Sequence, residues 1–231
     1  MLITGVYGNS PYYSSKFLGS GVRTLSVQSL NNALKEEGLV ELNPIAYTFH
    51  IGKTSWNEIY IVTRDFKGNV SAREDYYILN RKFSVLVSNN KDDLNRTLFS
   101  GLGYSLDFGY PIWKNNKMIL YPYFNLSYMF SFLKTQQITN IKSFTAVYNQ
   151  QLVERSFYNY GELDAACGLA YRVKLGESFM LEVGGGYNFL LTQSKWRYAD
   201  NKIDFPKIDC RGWVFGISFG TIINKKLSNN N

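Results

Sequence analysis

The 231-residue sequence contains no run of about 18 apolar residues, so no segment has the length of a membrane-crossing helix. It has one histidine, two cysteines and no CxxC spacing, which leaves no conventional metal-ligand set and implies no cofactor. Cys167 and Cys210 are not read on neighbouring strands, so no disulfide is expected. Proline is scarce, at 5 residues, and charged side chains make up only 19%. What is abundant is aromatic and small: 18 Tyr, 16 Phe and 19 Gly, a mixture that favours strands over helices.

The formal charge of +7 invites a nucleic-acid reading. The basic residues argue against it, because they are interleaved with acids in REDYYILNRK and SKWRYADNKIDFPK instead of forming a stripe. Such segments near phosphorylated lipid are electrostatically favourable. The mean hydropathy of −0.21 also leaves a membrane location open, since strands of a barrel need only about 9–11 residues and alternate lipid-facing with lumen-facing side chains.

That alternation is clearest towards the C-terminus. In GWVFGISFGTIIN, Trp213, Phe215, Ile217 and Phe219 share one parity, and Gly216, Ser218 and Gly220 the other. Residues 179–191 divide in the same way, with Phe179, Leu181, Val183, Tyr187 and Phe189 against Glu182, Gly184, Gly186 and Asn188. In 163–175 the charges Asp164, Arg172 and Lys174 all fall opposite Leu163, Leu169, Tyr171 and Val173. Segments 98–112 and 117–133 repeat the pattern, Asp107 standing among glycines and serines and opposite Tyr104, Leu106 and Phe108. Shorter strands are read at 44–52, 57–65 and 2–12, giving eight, or ten if 66–97 contributes another hairpin.

Tight turns are expected at KTSWN, WKNNK and LGES, alternating with long connections over 66–97, 134–162 and 192–211. Trp56 and Trp113 then fall at short turns and Trp196 and Trp213 beside the last long loop, two at each membrane boundary, where an indole suits the interface. In SVQSLNNALKEEGL, Ser26 is a potential N-cap, Val27, Leu30 and Leu34 share a face, and Gly38 is placed to end a short helix in the first connection.

The glycine-punctuated strands GLGYSLDFGY, LEVGGGYNF and GWVFGISFG resemble small, porin-like outer-membrane β-barrel proteins of the Bacteroidota, and SLNNALKEEGLVELNPIAYTFHIG is similar to a helix-then-strand segment of that group. The resemblance covers most of the chain and carries no catalytic signature. It implies an all-β fold, an antiparallel transmembrane barrel in a Gram-negative outer membrane. Many such barrels end on an aromatic residue, whereas here KKLSNNN follows the last strand and Phe219 is the last aromatic, which implies an internal or unconventional assembly signal. Residues 1–226 are read as the barrel and 227–231 as a polar tail, with both termini periplasmic. MLITGVYGNS lacks the features of an export signal, so the numbering is expected to begin downstream of one.

An eight-stranded barrel is usually filled by side chains. The inward charges Asp107, Asp164, Arg172, Lys174 and Glu182 are therefore expected to form a buried polar network, with a narrow ion path as the alternative. His50 is the one residue suited to general-base chemistry near neutral pH, and Ser100 and Ser105 are conceivable nucleophiles for a lipid-modifying enzyme. Parity turns His50 and Ser105 inward, away from lipid, so the chain is read as a non-enzyme. A soluble lipocalin-like barrel would point the bulky parity inward instead, where the small and charged residues fit better. The expected partners are outer-membrane lipid, including lipopolysaccharide, and a protein companion in a membrane complex, with loop aromatics Tyr148, Phe157, Tyr158, Tyr160, Tyr198 and Phe205 as contact anchors or loop packing.

Overall fold

The computed structural model describes residues 2–8, 13–64, 67–92, 95–137, 153–206, 208 and 210–223. In chain order the elements are β1 (Leu2–Gly8), β2 (Tyr13–Thr24), α1 (Gln28–Glu36), β3 (Ile45–Arg64), β4 (Val70–Lys91), β5 (Asn95–Gly109) and β6 (Trp113–Lys114). They continue with β7 (Met118–Gln137), β8 (Val153–Leu175), β9 (Phe179–Gln193), β10 (Arg197–Tyr198), β11 (Asn201–Lys202) and β12 (Gly212–Ile223). Eight long strands pair in the order β2, β3, β4, β5, β7, β8, β9, β12, and β12 pairs back onto β2 to close an antiparallel ring. The expected tail falls outside the described residues.

One row of directly opposite residues can be followed through every strand of the ring. From Ile222 it runs through Ser15, Thr54, Asn80, Asp107, Asn125, Ala166 and Asn188 and returns to β12 at Gly212. The return lies ten residues from the start (222 to 212), which for eight strands corresponds to a tilt of about 40°. Alternation then sorts the side chains. Phe49, Tyr104, Phe130, Phe189, Phe215 and Ile217 are exposed on the outside, while Asn80, Asp107, Arg172 and Glu182 are buried.

Three expectations about the N-terminal half are corrected. KTSWN is not a turn, because Lys53 to Asn57 run inside the single strand β3. Residues 66–97 are not a long loop but contain the 22-residue strand β4, joined to β5 by a short connection at 92–94. Residues 2–8 do form a strand, yet β1 pairs only with Ile59–Arg64 of β3, and the first stave of the ring is β2. The ring nevertheless has eight strands, because splitting β3 and missing β4 offset each other.

The short connections 65–69, 110–117 and 176–178 share one rim with Tyr13 and Ile223, the ends of the ring's chain. The connections 25–44 and 194–211 lie at the opposite mouth, as do the outer ends of β7 and β8. There β8 runs on from Glu162 to Val153 beyond the last residue that pairs with β9, so one wall rises above the other.

Candidate functional site

The lumen is polar because the inward parity carries small and charged residues, and their positions in the rows of opposite residues decide which of them meet. Asn80, Asp107 and Asn125 are consecutive members of the row traced above, and both asparagines donate to Asp107. Lys82 forms an ion pair with the same carboxylate. Arg172 and Glu182 are directly opposite on β8 and β9, and Arg172 Nε donates to Glu182 Oε2 at 2.8 Å. The guanidinium also reaches across the lumen to Thr54 Oγ1 and Asn80 Oδ1, both at 3.3 Å, while Tyr121 donates to Glu182 at 2.5 Å. One connected cluster therefore ties β3, β4, β5, β7, β8 and β9 together from the inside, with two cations balancing two carboxylates.

The five charges expected in the lumen divide. Asp107, Arg172 and Glu182 belong to this cluster. Asp164 lies nearer the loop-bearing mouth and pairs with Arg23 at 3.4 Å. Lys174 is half-buried at the end of β8, beside the tight turn 176–178. The tryptophans divide too. Trp113 and Trp213 are exposed, Trp213 stacked on Phe215 on the outer wall. Trp56 and Trp196 are corrections, at 5% and 3% exposure: Trp56 fills the lumen near the short-turn rim and Trp196 is packed under the loops.

Between the two ends lies a cavity of about 150 Å³, lined by His50, Lys82, Ser105, Asp107, Asn125 and Ser218 among others. His50 Nε2 and Ser218 Oγ are 2.8 Å apart. At about 10–15 Å³ of such cavity space per water, it holds on the order of ten water molecules. Towards the short-turn rim, Trp56, Ile78, Ile119, Tyr121 and Ala170 pack together as a buried apolar cluster. At the mouth, Leu25, Val27, Leu30, Leu34 and Leu42 pack with Phe99, Met129 and Leu133 of the rising wall and with Trp196, Ile208 and Cys210 of the last long connection.

This cap is the second core of the molecule. Helix α1 presents Leu30 and Leu34 to it, as the spacing predicts, and ends at Gly38, whose φ of +67° favours glycine. Its N-cap is Val27, without a side-chain hydrogen bond, so Ser26 does not cap it. Asn31 pins the returning chain, donating to Leu42 O at 3.0 Å and accepting from Leu42 N at 2.8 Å. Asn31→Ala should cost about 1–3 kcal/mol, since it leaves two buried backbone groups without their partner. Hydrogen exchange would read this as faster exchange at Leu42 and Leu25 with β9 and β12 unchanged.

The loop aromatics mostly pack on each other: Phe157 lies 4.8 Å from Phe205 and Trp196 lies 5.1 Å from Phe205, ring centre to ring centre. Tyr158 donates to Asp200 at 2.6 Å and meets Tyr160 edge-on, and Tyr160 and Tyr198 remain exposed. Tyr148 lies outside the described residues. Under the cap, Glu162, Asp164 and Cys210 bring three potential metal donors within 4.8 Å of one another, a grouping that sequence spacing could not reveal. Arg23 already places a cation against Asp164, and burial pushes the Cys210 thiol well above its ordinary range, so it stays protonated. The cluster acts instead as a clasp, in which Glu162 accepts from the Cys210 backbone N–H at 2.9 Å and Gln193 donates to Ile208 O at 2.6 Å.

No family profile and no characterised protein sequence matches the chain. Among solved structures it is similar to Ail, the attachment invasion locus protein of Yersinia pestis, at 12% identity and a TM-score of 0.42, covering 93% of this chain and 100% of that one. Ail in complex with the heparin analogue sucrose octasulfate is matched at 11% identity and the same TM-score and coverage. The N-terminal β-barrel domain of Pseudomonas aeruginosa OprF is matched at 14% identity, with a TM-score of 0.31 and the same coverage.

Proposed function

We propose that the chain is an integral outer-membrane β-barrel of a Gram-negative bacterium, of the Bacteroidota type that its strand motifs resemble, acting through its capped mouth as an adhesive or partner-binding protein. The observation that carries this reading is the inversion of polarity: large apolar side chains such as Ile51, Phe49, Leu191 and Phe215 cover the outer wall, while charges fill the interior. A soluble barrel has the opposite arrangement, because exposed apolar surface of this extent is unfavourable in water. By the usual disposition of short turns and long loops, the rim carrying both ends of the ring's chain faces the periplasm and the cap faces outward.

Neither conduction nor catalysis is part of this reading. The apolar clusters around Trp56 and Trp196 support a sealed lumen, and the His50–Ser218 pair is turned into the lumen, away from the outer wall. Expressed with an export signal, the protein should fractionate with outer membranes, require detergent for extraction and migrate faster on a denaturing gel before boiling than after. In planar bilayers it should give no ion-selective current steps. Detergent-free solubility would overturn the membrane assignment, and steady conductance would overturn the sealed lumen.

A further inference from the structure

We propose that Lys16, Lys53 and Arg81 form a site on the outer wall for the phosphate groups of an anionic glycerophospholipid, an inference that rests on the membrane-spanning reading above. Direct pairing sets Lys16 opposite Lys53 and Lys53 opposite Arg81, so three cations stand side by side on β2, β3 and β4. All three are exposed. Their sequence neighbours Ser15, Thr54 and Asn80 are buried, so alternation turns the three cations outward.

Such an arrangement is unfavourable by itself. Side chains opposite one another in a sheet have Cβ atoms about 4.5–5.5 Å apart, and like charges at that separation destabilise the pair. Among the described residues no hydrogen bond or ion pair relieves the row. The outward row above it, Leu18, Ile51 and Phe83, is apolar and exposed. The row below, Ser14, Ser55 and Leu79, supplies two hydroxyl groups and no negative charge. The cations thus mark the level on this wall where apolar surface gives way to polar surface, which is where a phosphate lies in a bilayer.

The chemistry selects an anionic lipid. A zwitterionic head group brings its own ammonium to a site that already holds three cations, whereas a phosphate without one is attracted by all of them. An arginine fork binds phosphate in a bidentate manner, and the two lysines add point charges. Three strands at about 4.8 Å spacing span about 10 Å, enough for two phosphates of one lipid. A glycerophospholipid is favoured over lipopolysaccharide because the row lies towards the rim of short turns, read as periplasmic.

The full chain refolded in mild detergent tests this by native mass spectrometry with tetraoleoyl cardiolipin as the probe. Cardiolipin should bind at least tenfold more tightly than dioleoylphosphatidylcholine, and the triple variant K16Q/K53Q/R81Q should abolish that preference. The charge-matched variant K117Q/K195Q/K202Q should keep it, and Lys53→Gln alone should fall between. Equal binding of the two lipids by the unaltered protein would overturn the site whether or not the triple variant folds. So would displacement of cardiolipin by an equal concentration of inorganic phosphate, or a preference for lipid A over cardiolipin. A chain that stays soluble without detergent would instead sink the membrane reading, so the two failures are distinguishable.

Discussion

Arg172→Ala should destabilise the barrel by about 3–5 kcal/mol, the loss expected when one partner of a buried ion pair is removed and the other is left charged. Glu182 is then a carboxylate facing the lumen with Tyr121 still donating to it but without the guanidinium that spans to Thr54 and Asn80. The effect should not be mimicked by removing the pair together. Arg172→Met with Glu182→Leu replaces two charges by apolar groups of similar length, and this double variant should recover most of the loss, because desolvation of both ions is no longer required. The measurement is urea unfolding in lipid vesicles followed by the fraction of compact, fast-migrating band. Equal losses in the single and double variants would show that Arg172 acts through packing against Tyr121, whose ring lies 5.5 Å from the guanidinium carbon, and not through its charge.

Much of the barrel was legible because an apolar outer wall and a crowded polar lumen impose strict alternation on β5, β7, β9 and β12. Where that alternation fails in the sequence, the structure gives a local reason. KTSWN reads as a turn because its outward residues Lys53 and Ser55 lie at the edge of the apolar wall, while its inward residue Trp56 is the bulky one, so the usual parity inverts. ILNRKF in β4 reads as loop because Asn80, Arg81 and Lys82 are consecutive polar residues. Two of them turn inward, where Asp107 takes both, and the third turns outward into the cation row. Local rules break where side chains have specific work to do, and here both breaks fall on the proposed lipid site.

The lumen cluster was legible only as a face. Parity puts Asp107, Asp164, Arg172, Lys174 and Glu182 on the inside, but the height of each depends on the ten-residue stagger, which no single strand discloses. Asp164 and Arg172 share a strand face and still end in different clusters. The cap was less legible, because Trp196, Ile208 and Cys210 come from an irregular segment with no periodicity and meet α1 only through the closed ring. By sequence Trp196 therefore reads as an isolated indole at a membrane boundary, whereas it belongs to a core assembled from both long connections.

An arginine scan along the outward face of β12 should show a depth-dependent penalty. Trp213, Phe215, Ile217, Phe219 and Thr221 share that face, and the first four are well exposed as large apolar side chains. An arginine facing lipid costs about 2–4 kcal/mol at the midplane of a bilayer and about 0–1 near its surfaces. Phe215→Arg and Ile217→Arg should carry the largest losses in vesicles, and Trp213→Arg and Thr221→Arg the smallest. Adjacent positions provide the contrast. Ser218 points into the lumen beside His50, so Ser218→Arg fails through crowding whatever surrounds the barrel, with no change between thin and thick bilayers. For the outward positions the maximum should move along the strand when vesicles of shorter acyl chains are used, because the hydrocarbon boundaries move while the side chains do not. A flat profile along β12, with equal penalties at Trp213 and Ile217, would mean that the apolar wall faces something other than lipid, such as a protein surface of uniform depth. A peak near Ile217 would also locate the opposite boundary close to Lys16, since Thr221 pairs with Lys16 and begins the cation row.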